Sequence, residues 1–228
     1  MYYIIAIILC MYFLSTTIYK ESLYVESNID NNKYLIRSGN KKPEYYLKNS
    51  ANTLAEINRR VERLINHLDT NYNTDLSKNY FIKKLKDNYN PSILSEAAID
   101  KRYTTYTIDK KEMHICLRTR DEYENLYDIN LLMYVILHEL AHFCNYDENG
   151  YPIQGHGNEF KDIFKFLIIE SIKVGIYEYV DYNVKPEPYC GIMLSTSILS
   201  RTQYEMFLNG KNEFKNKNNK YNYATFTW

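Results

Sequence analysis

The chain has 228 residues, 45% hydrophobic and 25% charged, and its 28 basic and 28 acidic side chains balance to a formal net charge of zero. That length suits one domain of ordinary size with room for appendages. A duplex-binding protein shows a basic excess or a basic stripe, and neither is present, so nucleic acid is not a favoured partner. The 25 tyrosines would act as base-stacking platforms only beside a positive groove. With plentiful Asn, Ile and Lys, they fit an AT-rich codon bias instead.

In chain order, Met1 to Ile18 is an apolar run just long enough to span a bilayer. It has no basic residue before Lys20 and no small-residue cleavage site, so residues 1–19 read as a transmembrane anchor rather than a signal peptide or a core helix. Lys20, Lys33 and Arg37 all follow it, which places the body on the cytoplasmic side of a host or virion membrane. Residues 20–50 are polar and mixed in charge, a connector or a partly extended strand region. From Ala51 to Leu68 the apolar residues Leu54, Ile57, Val61, Leu64, Ile65 and Leu68 recur at spacings of three and four, predicting an amphipathic helix capped by Asn49 or Ser50. His67, near its end, is expected to meet the helix C-terminus or solvent rather than a metal.

A short helix is expected near Leu76–Leu85. "RYTTYTID" (Arg102–Asp109) and "EMHICLRTR" (Glu112–Arg120) then read as two strands of a hairpin, with His114 facing the surface. From Asp128, a plausible N-cap, to about Asn145 the pattern is apolar almost all round, which predicts a buried helix. Another helix is expected from about Asn158 to Val174. The tail, 201–228, is Asn/Lys-rich and expected to be loosely ordered. The cysteines Cys10, Cys116, Cys144 and Cys190 have no C-x-x-C spacing. Setting Cys10 aside leaves an odd number, so mostly reduced, buried thiols are expected.

The buried helix carries "HELAH". Residues four apart on a helix differ by about 40 degrees, so His138 and His142 project from one face and can bind one metal ion. Glu139 stands beside the first histidine, placed to take a proton from a metal-bound water without being a ligand. His156, flanked by Gly155 and Gly157, is the expected third ligand; Glu159, just inside the next helix, is its rival. This set implies zinc (Zn2+) as cofactor.

"HELAH" followed by "GHGNEF" resembles the WLM and SprT-like zinc metalloproteases. "AEINRRVERLINHL", "YTTYTIDK", "ICLRTRD" and "YCG" (Tyr189–Gly191) look like the uncharacterised WLM-type group of large DNA viruses. The resemblance implies an α+β, compact zincin-like domain over 51–200. That domain would hold a small antiparallel or mixed sheet, a buried HExxH helix and a second helix after the third ligand, with the N-terminal apolar helix appended. It also implies a metallopeptidase acting on a protein or peptide substrate, with His138, His142 and His156 on zinc and Glu139 as catalytic base; the apolar run at residues 1–19 would tether it to a membrane. Ile115–Arg118 would hold the substrate as an edge strand. Tyr189 is a candidate for the oxyanion and Cys190 for the zinc. The alternative is a non-catalytic, zinc-bound membrane or virion structural protein that keeps the same fold for interaction. The intact Glu139 favours the enzyme, because a structural zinc does not need that base. The oligomeric state is not legible.

Overall fold

The apolar stripe from Leu54 to Leu68 lies along one fully buried face of a helix, but that helix is longer than its pattern. In a computed structural model, which describes residues 22–38, 44–98, 104–147 and 149–216 with side chains to residue 210, helix α1 runs Glu44–Tyr72. It therefore begins before Asn49 and Ser50, and neither is its cap. Residues 44–49 present no recurring apolar face, so periodicity could not reveal that first turn. α2 (Leu76–Asn88) follows, capped by Asp75, whose carboxylate accepts from Ser77 N.

Five short strands form one mixed sheet: β1 (Ser22–Glu26), β2 (Lys33–Arg37), β3 (Leu94–Glu96), β4 (Tyr106–Ile108) and β5 (Glu112–Ile115), in the order β1-β2-β3-β5-β4. β1 and β2 lie where a connector or partly extended strand is expected. Their antiparallel pairing extends the sheet at one end, with Ser22 opposite Arg37 and Glu26 opposite Lys33. β3 runs parallel to both β2 and β5. The expected hairpin is present as β4–β5, with Tyr106 opposite His114 and Ile108 opposite Glu112. Its turn holds three residues, Asp109–Lys111, of which Asp109 and Lys110 have φ of 48° and 55°, the left-handed conformation that tight hairpin turns favour. β5 is thus an inner strand, paired on both sides. Glu112–Ile115 therefore offers no free edge to an extended chain, and β4 is the outer strand on this side of the sheet; Cys116–Arg118 lie beyond β5, where Arg118 bridges Leu126.

α3 (Ile129–Cys144) is buried nearly all round and capped by Asp128, which accepts from Asn130 N and Leu131 N. α4 (Asn158–Lys173) packs against it. A two-stranded ribbon, β6 (Glu187–Tyr189) and β7 (Ile192–Leu194), and α5 (Arg201–Asn216) complete the described fold. α5 occupies the start of the segment expected to be loosely ordered. The fold is α+β with a mixed sheet. The expected N-terminal apolar helix lies outside the described residues; among those described, no helix is long and apolar enough to cross a membrane.

Two long-range features have no sequence signature. Arg37, Glu96, Arg118 and Glu124 are all buried. Arg118 Nε and Nη2 donate to the two oxygens of Glu96 at 2.7 and 2.9 Å, and Nη2 also donates to Arg37 O at 2.6 Å. Arg37 Nη2 donates to Glu124 at 3.3 Å. Four charges that would be costly alone are thus paired and hydrogen-bonded. The second feature corrects the cysteine expectation. Cys116 and Cys190 form a disulfide that ties the end of β5 to the β6–β7 turn. Only Cys144 is a free, buried thiol among the described residues. Parity failed because a pair and one inert core cysteine also make three.

Candidate metal centre

α3 supplies the first two imidazoles one turn apart. The chain then leaves the helix through a folded loop rather than a wandering one. Ile153 N donates to Asn145 O at 3.1 Å, Asp147 N donates to Tyr151 O at 2.9 Å, and the Asp147 carboxylate accepts from Asn149 N and Tyr151 N. Gly155, at φ +79°, makes the left-handed bend that sends the chain back to the helix at low cost. His156 arrives there just before α4 begins.

Its Nε2 lies 3.0 Å from His138 Nε2 and 3.1 Å from His142 Nε2. One candidate ligand atom from each residue lies within 4.8 Å of the others. Phe160, from the first turn of α4, sits against all three rings at centroid distances of 4.9, 4.3 and 4.7 Å. His156 is exposed and the other two are half-buried. Burial first, then the neighbouring imidazoles, holds His138 down to about 3 and His142 down to about 4. Both are therefore neutral at physiological pH, with lone pairs to offer.

A single Nε2 on His156 cannot satisfy two facing Nε2 atoms, because it carries either a proton or one lone pair. A cation satisfies all three. Around a tetrahedral zinc with bonds of about 2.0–2.1 Å, ligand nitrogens stand roughly 3.3 Å apart, close to the 3.0 and 3.1 Å that separate His156 from His138 and His142. The donor set fits zinc.

Glu139 points to the sheet. It is buried and accepts from Thr107 Oγ1 of β4 at 2.7 Å. Burial pushes its carboxyl up to about 7, against the opposing effect of that hydrogen bond. Glu159 is exposed on the first turn of α4 and is not among the three clustered ligands. Tyr189 is buried and bonded to Thr105, and Cys190 is in the disulfide, so Cys190 has no free thiolate for a metal. His114 is not simply surface-facing: its Nδ1 meets Ser95 Oγ at 2.8 Å and its Nε2 meets Glu112 at 3.0 Å. His67 bonds the buried Glu170 at 2.8 Å. Lys110 was missed by the sequence reading. It donates to Asn145 O and lies 4.0 Å over the Tyr146 ring, locking the β4–β5 turn onto the end of α3.

Residues 46–179, well over half of the chain, match the Phycodnaviridae minor capsid protein P4 family. The chain belongs to that family. It is 37% identical over 197 residues to an uncharacterised protein of Acanthamoeba polyphaga mimivirus, covering 86% of this chain and 94% of the relative. An uncharacterised protein of Invertebrate iridescent virus 6 is 34% identical over 103 residues, 44% of this chain and 53% of the relative. One of Invertebrate iridescent virus 3 is 36% identical over 88 residues, 38% of this chain and 50% of the relative. No solved structure matches the chain.

Membership in a minor capsid family overturns the resemblance to WLM and SprT-like proteases, and with it the metallopeptidase reading and its peptide substrate. The physical reason is that His-Glu-x-x-His on a helix guarantees two imidazoles on one face and nothing more. It specifies how an ion can be held, not what is done with it. The membrane-anchored, cytoplasmic localisation falls with the same membership, and the segment on which it rested lies outside the described residues.

Proposed function

We propose that the chain is a non-catalytic component of a virion, a structural and interaction protein whose His138, His142 and His156 hold a zinc ion. The observation that carries the zinc is the meeting of three imidazole nitrogens that cannot satisfy one another. Membership in the minor capsid family supports the virion setting and, with it, neighbouring virion proteins as partners. The ion supplies a cross-link. It joins α3, the loop after Asn145 and the start of α4 through side chains that otherwise meet only by packing. Glu139, turned to Thr107, braces α3 against the outer strand β4 in this reading.

The test is the metal content and melting temperature of the full-length chain beside His156→Ala. One zinc per chain is expected in the parent, with binding weakened in the variant. A ligand present at a hundred times its dissociation constant adds about 2.7 kcal/mol to folding. For a chain of this size that is a rise on the order of 5–10 °C on zinc addition. A parent that takes up no zinc after supplementation would remove the metal from this reading.

A further inference from the structure

The two cysteines of the disulfide lie beside the contacts that set α3 in place. Cys116 N donates to Thr105 Oγ1 at 3.1 Å, and the same hydroxyl bonds Tyr189 OH, one residue before Cys190. Two residues after Thr105, the Thr107 hydroxyl donates to Glu139 in the middle of α3. Tyr127 stands one residue before the Asp128 cap of that helix. Its hydroxyl accepts from Cys190 N at 2.7 Å, and its own N–H donates to Leu117 O, next to Cys116, at 2.9 Å.

The start and the middle of α3 are thus each tied, through one short stretch of chain, to the backbone at the disulfide. β4, which carries Thr107, is a three-residue outer strand paired with β5 in the sheet. Such a strand depends on the anchors at its two ends, Thr105 on one side and Lys110 on the other. His138 and His142 ride on α3, whereas His156 comes from the loop after it. Zinc–nitrogen bonds are held near 2.0–2.1 Å, so a loosened α3 carries two ligands away from the geometry that the third has to meet.

We propose that the Cys116–Cys190 disulfide controls the metal centre: with the bond intact the imidazoles are held for zinc, and its reduction loosens α3 and weakens zinc binding. Linkage makes the effect reciprocal, so bound zinc protects the disulfide from reduction by the same factor. The chain then keeps its metal in an oxidising setting and gives it up in a reducing one. This rests on the zinc reading above, and the experiment separates the two.

Zinc affinity of the full-length chain is measured by competition with a chelator, oxidised and after reduction by a phosphine, with circular dichroism recorded in both states. Reduction breaks the S–S bond into two thiols. The two electrons come from the phosphine, which becomes the phosphine oxide; water supplies its oxygen and the two thiol protons. Affinity is expected to fall about 5- to 150-fold, the usual range for two coupled sites, with the helical signal kept. The double change Cys116→Ala and Cys190→Ala removes the thiols that reduction frees, and should bind zinc as weakly. Thr105→Val should shrink the ratio between the two redox states; an unchanged ratio would overturn the route through β4. In a thiol–disulfide redox buffer, zinc should shift the reduced-to-oxidised ratio of the pair in the parent and not in His156→Ala. Equal or tighter zinc binding by the folded double variant overturns the coupling and leaves the zinc site standing. Loss of the helical signal on reduction would make the disulfide a support of the whole fold, which also overturns it. A parent that binds no zinc in either state removes the underlying zinc reading as well.

Discussion

Arg118 keeps 1% of its surface yet carries a full charge. Glu96 answers it with both oxygens, and Glu124 Oε2 lies 3.4 Å from its Nη1. Removing one member of such a group strands the others in a medium of low polarity, which typically costs about 3–5 kcal/mol. Arg118→Met is therefore expected to lower the urea unfolding midpoint by that equivalent; a change below about 1 kcal/mol would mean that water reaches the remaining carboxylates. Lys110 makes a different statement. Burial lowers its pKa from 10.5 to about 8. Below pH 8 the lysine is charged in both folded and unfolded chains, and the full penalty for burying that charge applies. Between 8 and 10.5 the unfolded chain binds more protons, so this group makes stability rise with pH. The urea midpoint should climb from pH 8 towards 10, and Lys110→Met should flatten the climb. At this scale the sequence was readable where partners lie within one helical turn, as with His138 and His142. It was opaque for Arg118, whose partners Glu96 and Arg37 are 22 and 81 residues away, because charge in a sequence does not say which charges meet.

The helices were legible because their apolar spacing reports burial directly. α3, α4 and the buried face of α1 follow their patterns, with Asp128 capping as its side chain suggests. Strands of three to five residues carry too few alternations for their partners to be read. The sheet order and the inner position of β5 followed only from the structure. The β6–β7 ribbon shows how a small element is held. Cys190 and Gly191 form its turn with φ of 49° and 86°, and Cys190 N donates to Tyr127 OH at 2.7 Å. The disulfide joins residues 74 apart in sequence, and a cross-link of that span stabilises by about 4 kcal/mol through the unfolded chain. Dithiothreitol, or the double change Cys116→Ala and Cys190→Ala, should lower the melting temperature by roughly 10 °C. An unchanged melting temperature under reduction would mean that the cross-link contributes nothing to stability.

The α+β class and the meeting of the three histidines could be expected from the chain as a whole, whereas the reaction assigned to it could not. A short motif specifies local geometry, and a match spanning residues 46–179 specifies ancestry; where they disagree about activity, the longer match governs. The sheet itself is two hairpins, β1–β2 and β4–β5, joined by the three residues of β3. Each hairpin can form from chain neighbours. β3 runs parallel to both of its neighbours and reaches β2 only after α1 and α2 have been threaded between them. Contacts so distant along the chain demand loop closure before they return any stabilisation. Joining the two hairpins through that one short strand is thus the most demanding loop closure in the sheet, since Leu35 meets Ser95 across the whole of α1 and α2.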